Sequence, residues 1–511
     1  MTDSLVALLH ASTRRFPDAC AIVADDVVLS YATLWRRMAG LARFLIDHGL
    51  QPGERVALLA ENSPDYVVTY YGVLRAGGVI VALNAAARER DLRIWIEHCG
   101  ARWLMGQAQH PAWSALVAEL PGVRTIAIGV PATGGHLAWD AAVTTPVSAD
   151  DVWPMPEPQA PAAILYTSGT TGRPKGVTLS HRNLAANVQS ILAYLPIDAD
   201  SRIVNVLPFY YSYGNSVLHT HLAAGGCVVL ENSLAYPHRV VERLAQTQAT
   251  GFSGVPSTYA LLLSRVRLQD YDLRHLRYIT QAGGAMPAAL TQRLREALPH
   301  VALYVMYGQT EATARLSFLP PERLGDKLGS AGHAIPGVTL EVRAEDGRPV
   351  APGTVGEIWA RGDNVMLGYW NDAPATATTL VDGWLRTGDM ARMDAEGFVY
   401  IEGRRSDMIK SGAHRINPVD IEEAIAELPG VAEVAVVGVA DELLGQVIKA
   451  VVVPAPGQRL DAMAIKAHCR DRLPVYKMPK FIEFVAMLPK TASGKVKRFE
   501  LAATTREQKI G

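Results

Sequence analysis

Between Ser30 and Leu83 the chain alternates two hydrophobic periods, and few folds accept that alternation. Ser30-Tyr31-Ala32-Thr33-Leu34 opens a segment running through Leu41-Ala42-Arg43-Phe44-Leu45 with apolar residues at helical spacing. Arg55-Val56-Ala57-Leu58-Leu59 reads as a buried strand, Tyr66 to Ala76 as a helix, and Val79-Ile80-Val81-Ala82-Leu83 as another strand. Strands apolar on both faces, separated by helices, are βαβ units of a mostly parallel sheet. At 511 residues the chain is too long for one compact core, so at least two domains are expected.

A second feature bears on chemistry. Tyr166-Thr167-Ser168-Gly169-Thr170-Thr171-Gly172-Arg173-Pro174-Lys175-Gly176-Val177 follows the apolar run Ala162-Ala163-Ile164-Leu165 and precedes a predicted helix beginning at Ser180-His181-Arg182-Asn183-Leu184. Glycines let backbone N–H groups close on an anion, hydroxyls donate further bonds, and Lys175 supplies a point charge, a composition suited to phosphate. A surface turn has less need of so many donors. The stretch is not a Walker A loop, in which the lysine directly follows the second glycine. Here Arg173 and Pro174 separate Gly172 from Lys175, and Gly176 takes the place of the metal-binding hydroxyl.

This stretch resembles the signature loop of the adenylate-forming superfamily: acyl-CoA synthetases, stand-alone and peptide-synthetase adenylation domains, and firefly-type luciferases. Further motifs occur in that family's order across essentially the whole chain. Phe209-Tyr210-Tyr211-Ser212-Tyr213-Gly214-Asn215 follows a predicted strand, Ile203 to Leu207, at the position where open α/β sheets place ligand crevices. An aromatic cluster is ordinarily core, but the resemblance implies an acyl pocket formed by Tyr210, Tyr211, Tyr213, Gly214 and Met306. Gly283, Gly284 and Ala285 follow the predicted strand Tyr278 to Ala282, where relatives bring backbone close to adenine.

Tyr307-Gly308-Gln309-Thr310-Glu311 resembles the next core motif. The resemblance implies that Tyr307 stacks on adenine, Thr310 contacts the α-phosphate region and Glu311 helps to hold Mg2+; a π face, a hydroxyl and a hard carboxylate suit those partners. Thr387-Gly388-Asp389 offers one carboxylate at what reads as a tight turn, and the family's aspartate there binds both ribose hydroxyls. Within Gly403-Arg404-Arg405-Ser406-Asp407, Arg404 would bind ribose from the other side and Asp407 would be the hinge. Gly412 would line the thiol tunnel. Lys495, in Pro489-Lys490-Thr491-Ala492-Ser493-Gly494-Lys495, would complete the adenylation site. Without its motif it would read as a solvated surface charge.

The expected architecture is α/β: a large N-terminal domain of mostly parallel sheets with helices, residues 1–406, and a small mobile α+β C-terminal domain, residues 407–511. Predicted elements of the latter are a helix at Val419 to Leu428, strands at Val431 to Val439 and Val447 to Val453, a helix at Leu460 to Leu473 and a strand near Phe481 to Val485. The segment from Thr133 to Pro161 is rich in Pro, Ala and Asp and reads as a surface connection.

The implied activity is ATP-dependent conversion of a carboxylic acid to an acyl-adenylate, then transfer to the thiol of coenzyme A. The rival is a stand-alone ligase that loads an acyl or peptidyl carrier protein through its phosphopantetheine. A luciferase-type oxygenase and a silent nucleotide-binding protein are further alternatives. Many acyl-CoA ligases have histidine where this chain has Tyr211, and α-amino-acid adenylating domains have aspartate. Tyrosine cannot supply the carboxylate that would compensate a buried ammonium, so a fatty, aryl or other carboxylic acid is expected rather than an α-amino acid. Net charge is −1 with no basic cluster, and no apolar run would span a bilayer, so neither nucleic acid nor a membrane span is expected. The opening Met1-Thr2-Asp3-Ser4 lacks a cationic signal region, and Cys20, Cys99, Cys227 and Cys469 read as free thiols. A cytoplasmic monomer or homodimer is the expectation.

Overall fold

The structure is a computed structural model describing residues 4–129, 137–148, 150–167, 175–404, 407–411, 414–441, 444–490 and 496–503. The described strands form four sheets. One sheet runs in the order Gly368–Tyr369, Lys175–Ser180, Pro161–Thr167, Val79–Ala82, Arg55–Leu59, Trp103–Gln107, Arg124–Ile128 and Leu137–Ala138. Val79–Ala82, Arg55–Leu59 and Trp103–Gln107 pair in parallel, as the alternating pattern predicts. Val56, Ala57, Leu58 and Leu59 are fully buried, which is why this run lacks the polar alternation of a half-solvated strand.

A second sheet has its own parallel centre: Ala302–Tyr307, Tyr278–Gln281, Gly251–Gly254, Arg202–Asn205 and Cys227–Leu230. Helices Tyr31–Asp47, Pro64–Arg75, His181–Leu192 and Ser212–Ala224 share one apolar cluster with both sheets, so a common core fixes the two strand-end rims relative to each other. Ser30, Ser63 and Ser180 cap three of these helices, each side chain accepting a bond from the backbone N–H three residues on.

The third sheet is antiparallel and runs Val338–Arg343, Gly356–Gly362, Trp384–Met393 and Leu380–Val381, with Val399–Arg404 also on Trp384–Met393. From residue 409 onward the described strands pair only with one another: His414–Ile416, Ile409–Ser411, Gly445–Pro454, Val431–Asp441 and Phe481–Phe484. Helices Pro418–Ala426 and Ala462–Arg470 cover this sheet through Ile421, Ile425, Ile465 and Cys469, giving a small α+β unit with its own core. The mixed α/β fold with a small C-terminal domain is as expected.

One stretch differs. The expected surface connection contains the helix Trp139–Val143, whose Trp139, Ala142 and Val143 are buried. It packs on helix Tyr31–Asp47 so closely that a Cβ on Gly40 would lie 2.7 Å from the Val143 carbonyl oxygen. Five residues are too few to display a helical period.

Candidate functional site

Tyr307 ends a central strand of the second sheet, and Asp389 lies in the antiparallel sheet beside it. The Tyr307 hydroxyl donates to Asp389 Oδ2 at 2.6 Å, and Arg404 Nε donates to Asp389 Oδ1 at 3.2 Å. Asp389 is buried, so its charge needs both partners. Burial raises the Tyr307 hydroxyl well above its usual range, and the adjacent Asp389 charge raises it further, so Tyr307 is a neutral donor. Burial disfavours the Arg404 cation, but Asp389, Glu311 and Asp407 outweigh it and raise its pKa.

The Thr387-Gly388-Asp389 segment is not the tight turn that the sequence suggests. It is a bulge inside the ten-residue strand Trp384–Met393. Trp359 pairs with Arg386 and Glu357 with Met390, so Thr387, Gly388 and Asp389 face the single residue Ile358. Gly388 takes φ +74°, which an L side chain seldom adopts. Thr387 Oγ1 donates to the Ile358 carbonyl at 2.8 Å and accepts from Asp389 N at 3.1 Å, while Glu357 accepts from Gly388 N at 3.2 Å and Arg386 Nη2 at 2.8 Å. The bulge aims the Asp389 carboxylate at Tyr307.

A second group forms where two motifs meet. Lys175 begins the strand Lys175–Ser180, which pairs with Gly368–Tyr369. Lys175 Nζ lies 4.7 Å from the centre of the Tyr369 ring, and the Tyr369 hydroxyl donates to Glu311 Oε1 at 2.8 Å. Tyr369 thus separates the cation from the carboxylate while touching both. Sequence reasoning missed it; the glycine-aromatic run Gly368-Tyr369-Trp370 is the one local signal.

The third group surrounds the start of helix Ser212–Ala224. Thr310 Oγ1 donates to Ser212 Oγ at 3.3 Å, joining the Tyr307–Glu311 motif to the aromatic cluster. A Cβ on Gly214 would overlap the Pro208 carbonyl oxygen, and one on Gly308 would overlap that of Ala314, so both glycines permit close backbone approach. Tyr210 and Tyr211 have ring centres 4.8 Å apart. Tyr211, half-buried, accepts at its hydroxyl from Asn84 Nδ2 at 3.2 Å. Tyr213 bonds to the Thr280 carbonyl at 2.8 Å. Met306 is buried, with Arg315 Nε and the Tyr194 hydroxyl each 3.4 Å from its sulfur.

Gly283, Gly284 and Ala285 form an exposed shelf after the strand Tyr278–Gln281, with Gly283 at φ +84° and Gln281 Nε2 donating to the Gly284 carbonyl at 2.8 Å. Thr167 and Lys175 are antiparallel partners, so the two ends of the glycine-rich loop lie side by side. Asp407 is exposed, and its N–H donates to the Arg404 carbonyl at 3.0 Å. Ser168, Gly169, Thr170, Thr171, Gly172, Gly412 and Lys495 lie outside the described residues.

The described residues contain no group of three or more His, Cys, Asp or Glu side chains able to hold a metal ion. Glu311 fits magnesium as one hard oxygen ligand, with a nucleotide's phosphates and water completing the shell. No described helix is long and apolar enough to cross a membrane.

Comparison with known proteins identifies the family. A family model described as AMP-binding enzyme matches residues 9–370, and one described as AMP-binding enzyme C-terminal domain matches residues 420–495. Feruloyl-CoA synthase of Amycolatopsis sp is 37% identical over 492 residues, covering 96% of each protein. Indoleacetate–CoA ligase of Aromatoleum aromaticum is 36% identical over 485 residues, covering 94% of each. The crystal structure of an anthranilate CoA ligase in complex with anthranoyl-AMP superposes with a TM-score of 0.90 at 26% identity, covering 98% of this chain and 97% of that one. The chain belongs to the family of AMP-binding enzymes.

Proposed function

We propose that this protein is an AMP-forming acid:CoA ligase acting on an aryl or fatty acid. The observation that carries the reading is the pairing of two groups, Tyr307 and Arg404 on Asp389, and Lys175 and Glu311 on Tyr369, with the Glu311 charge also acting on Arg404. It is supported by the family and by CoA-ligase relatives matching nearly the full length of the chain.

In the first half-reaction a carboxylate oxygen of the acid bonds to the α-phosphorus of ATP as the bond to pyrophosphate breaks. In the second, the CoA thiolate attacks the acyl carbon and the bond to AMP breaks. The substrates supply both nucleophiles, so the protein's task is alignment and charge stabilisation. Asp389, oriented by Tyr307 and Arg404, accepts the ribose hydroxyls. Tyr307 and the shelf at Gly283, Gly284 and Ala285 receive the adenine. Lys175, with Thr167, Ser168, Gly169, Thr170, Thr171 and Gly172, holds the departing phosphates, and Thr310 positions the α-phosphate. A magnesium ion held by Glu311 would neutralise phosphate charge.

Lys495 bridges the incoming carboxylate and the phosphate, so Lys495→Ala should slow acid-dependent adenylation by about 10²–10³-fold. Residues 1–406 and 407–511 act as the two domains, Asp407 as hinge and Gly412 beside the thiol. Tyr210, Tyr211, Tyr213, Gly214 and Met306 line the acyl pocket, and Tyr211 leaves an α-ammonium without a carboxylate partner.

The test is product analysis with ATP, magnesium and candidate acids, supplying either free CoA or a holo carrier protein. Acyl-CoA and AMP formed with free CoA support the reading. Thioester formed only on the carrier overturns the choice of acceptor, and ADP as the product overturns the reaction type.

A further inference from the structure

Arg315 is 3% exposed and forms no ion pair among the described residues. Its guanidinium lies 4.2 Å from the centre of the Tyr213 ring, and its Nε reaches Met306 Sδ at 3.4 Å. The Tyr194 hydroxyl, which donates to the same sulfur, accepts a hydrogen bond from the Arg315 side chain. These neighbours are neutral: a π face, a thioether and a hydroxyl. They soften the cost of a buried cation without neutralising it. Arginine keeps its charge at any physiological pH, so it cannot escape that cost by losing a proton.

The backbone beneath it is fixed. The Arg315 carbonyl accepts from Asn364 Nδ2 at 2.8 Å and from Asn187 Nδ2 at 3.3 Å, and Leu316 N donates to the Tyr307 carbonyl at 2.9 Å. Asn364 also accepts at its own carbonyl from Thr313 Oγ1 at 2.7 Å. A preorganised cation is therefore presented to Tyr213 and Met306, two residues of the proposed acyl pocket, by the loop that carries Thr310 and Glu311.

We propose that Arg315 pairs with a second anionic group on the acid substrate, a carboxylate or sulfonate remote from the carboxylate that is adenylated. The inference rests on the acid:CoA ligase reading and deepens it: the preferred acid is a dianion. Arg315 determines specificity, while the phosphate-side residues carry the reaction.

The experiment is acid-dependent pyrophosphate exchange with matched acids that differ only in the second charge: hexanoate against adipate, octanoate against suberate, and cinnamate against 4-carboxycinnamate. The wild-type protein should favour one or more dianionic members. Arg315→Met, which keeps length and loses charge, should lower kcat/KM for that dianion by about 100-fold or more while changing the matched monoanion by less than about threefold. Arg315→Lys should retain most of the preference, because it keeps the cation. Faster exchange with the monoanions in the wild-type protein overturns the proposal and leaves the ligase reading intact. An equal loss on both members in Arg315→Met also overturns it, making Arg315 a structural strut. Silence with every pair overturns the ligase reading and the proposal with it.

Discussion

Tyr369 donates its hydroxyl to Glu311 Oε1 at 2.8 Å while its ring carries Lys175 Nζ 4.7 Å from the centroid. Burial and the adjacent Glu311 charge both raise the Tyr369 hydroxyl, so it remains a donor across the physiological range. Tyr369→Phe keeps the ring for Lys175 and removes the hydroxyl that bonds Glu311 and the Thr379 side chain. Hydrogen bonds to charged groups are worth about 1.5–3 kcal/mol, so exchange should fall about 10–100-fold at limiting magnesium. A magnesium titration of the exchange rate checks this. An unchanged titration would mean that Tyr369 does not orient Glu311.

Asp389 holds two donors at once. Asp389→Asn keeps the shape but removes the charge facing Arg404, and it should raise the KM for ATP by about tenfold or more. Tyr307→Phe removes one neutral donor and should have the smaller effect. Steady-state kinetics at saturating acid rank the two variants. A larger effect from Tyr307→Phe would place the nucleotide contact on the tyrosine.

Gly308 sits between the strand that delivers Tyr307 and the loop that delivers Thr310 and Glu311. A Cβ there would overlap the Ala314 carbonyl, part of fixed backbone. Gly308→Ala should therefore cost about 1–3 kcal/mol of stability and displace both contacts. Denaturant melts paired with exchange assays test this. Retained stability and activity together would contradict the packing described for this loop.

Three histidines give the fold an acid limit. Burial lowers His219 to about 3, and His181 and His221 to about 4, from an ordinary 6.5. The Val217 carbonyl, bonded to His221 Nδ1, only partly opposes its shift. The unfolded chain protonates these imidazoles below about pH 6.5 while the folded chain keeps them neutral. Their stabilisation is thus complete above about pH 6.5 and declines as pH falls toward 4, by up to about 1.4 kcal/mol per pH unit for each histidine. Urea midpoints between pH 7.5 and 5 should fall progressively. A flat profile would mean that these side chains are accessible to protons in the folded state.

The parallel core was legible in the sequence because strands such as Arg55–Leu59 are buried on both faces and read as unbroken apolar runs. The bulge at Asp389 was not, since Thr-Gly-Asp has the local chemistry of a turn. Only the flanking strands Gly356–Gly362 and Val399–Arg404, which pair on either side of it, reveal that the chain continues as a strand. The motif residues Lys175, Glu311, Asp389 and Arg404 could be named from their patterns. Tyr369 and Arg315 could not, because their roles come from long-range contacts: Tyr369 meets a glutamate 58 positions earlier, and Arg315, in a loop, lies over a tyrosine of helix Ser212–Ala224. A buried arginine with neutral neighbours has no signature in one dimension.

The most direct measurement is the incorporation of labelled pyrophosphate into ATP, with and without acid, in the absence of any thiol. An acid-dependent signal that is lost in Lys495→Ala is what an acyl-adenylate-forming enzyme gives. Exchange independent of acid, or incorporation of labelled phosphate in place of labelled pyrophosphate in a parallel arm with ADP, would contradict adenylation as the first step.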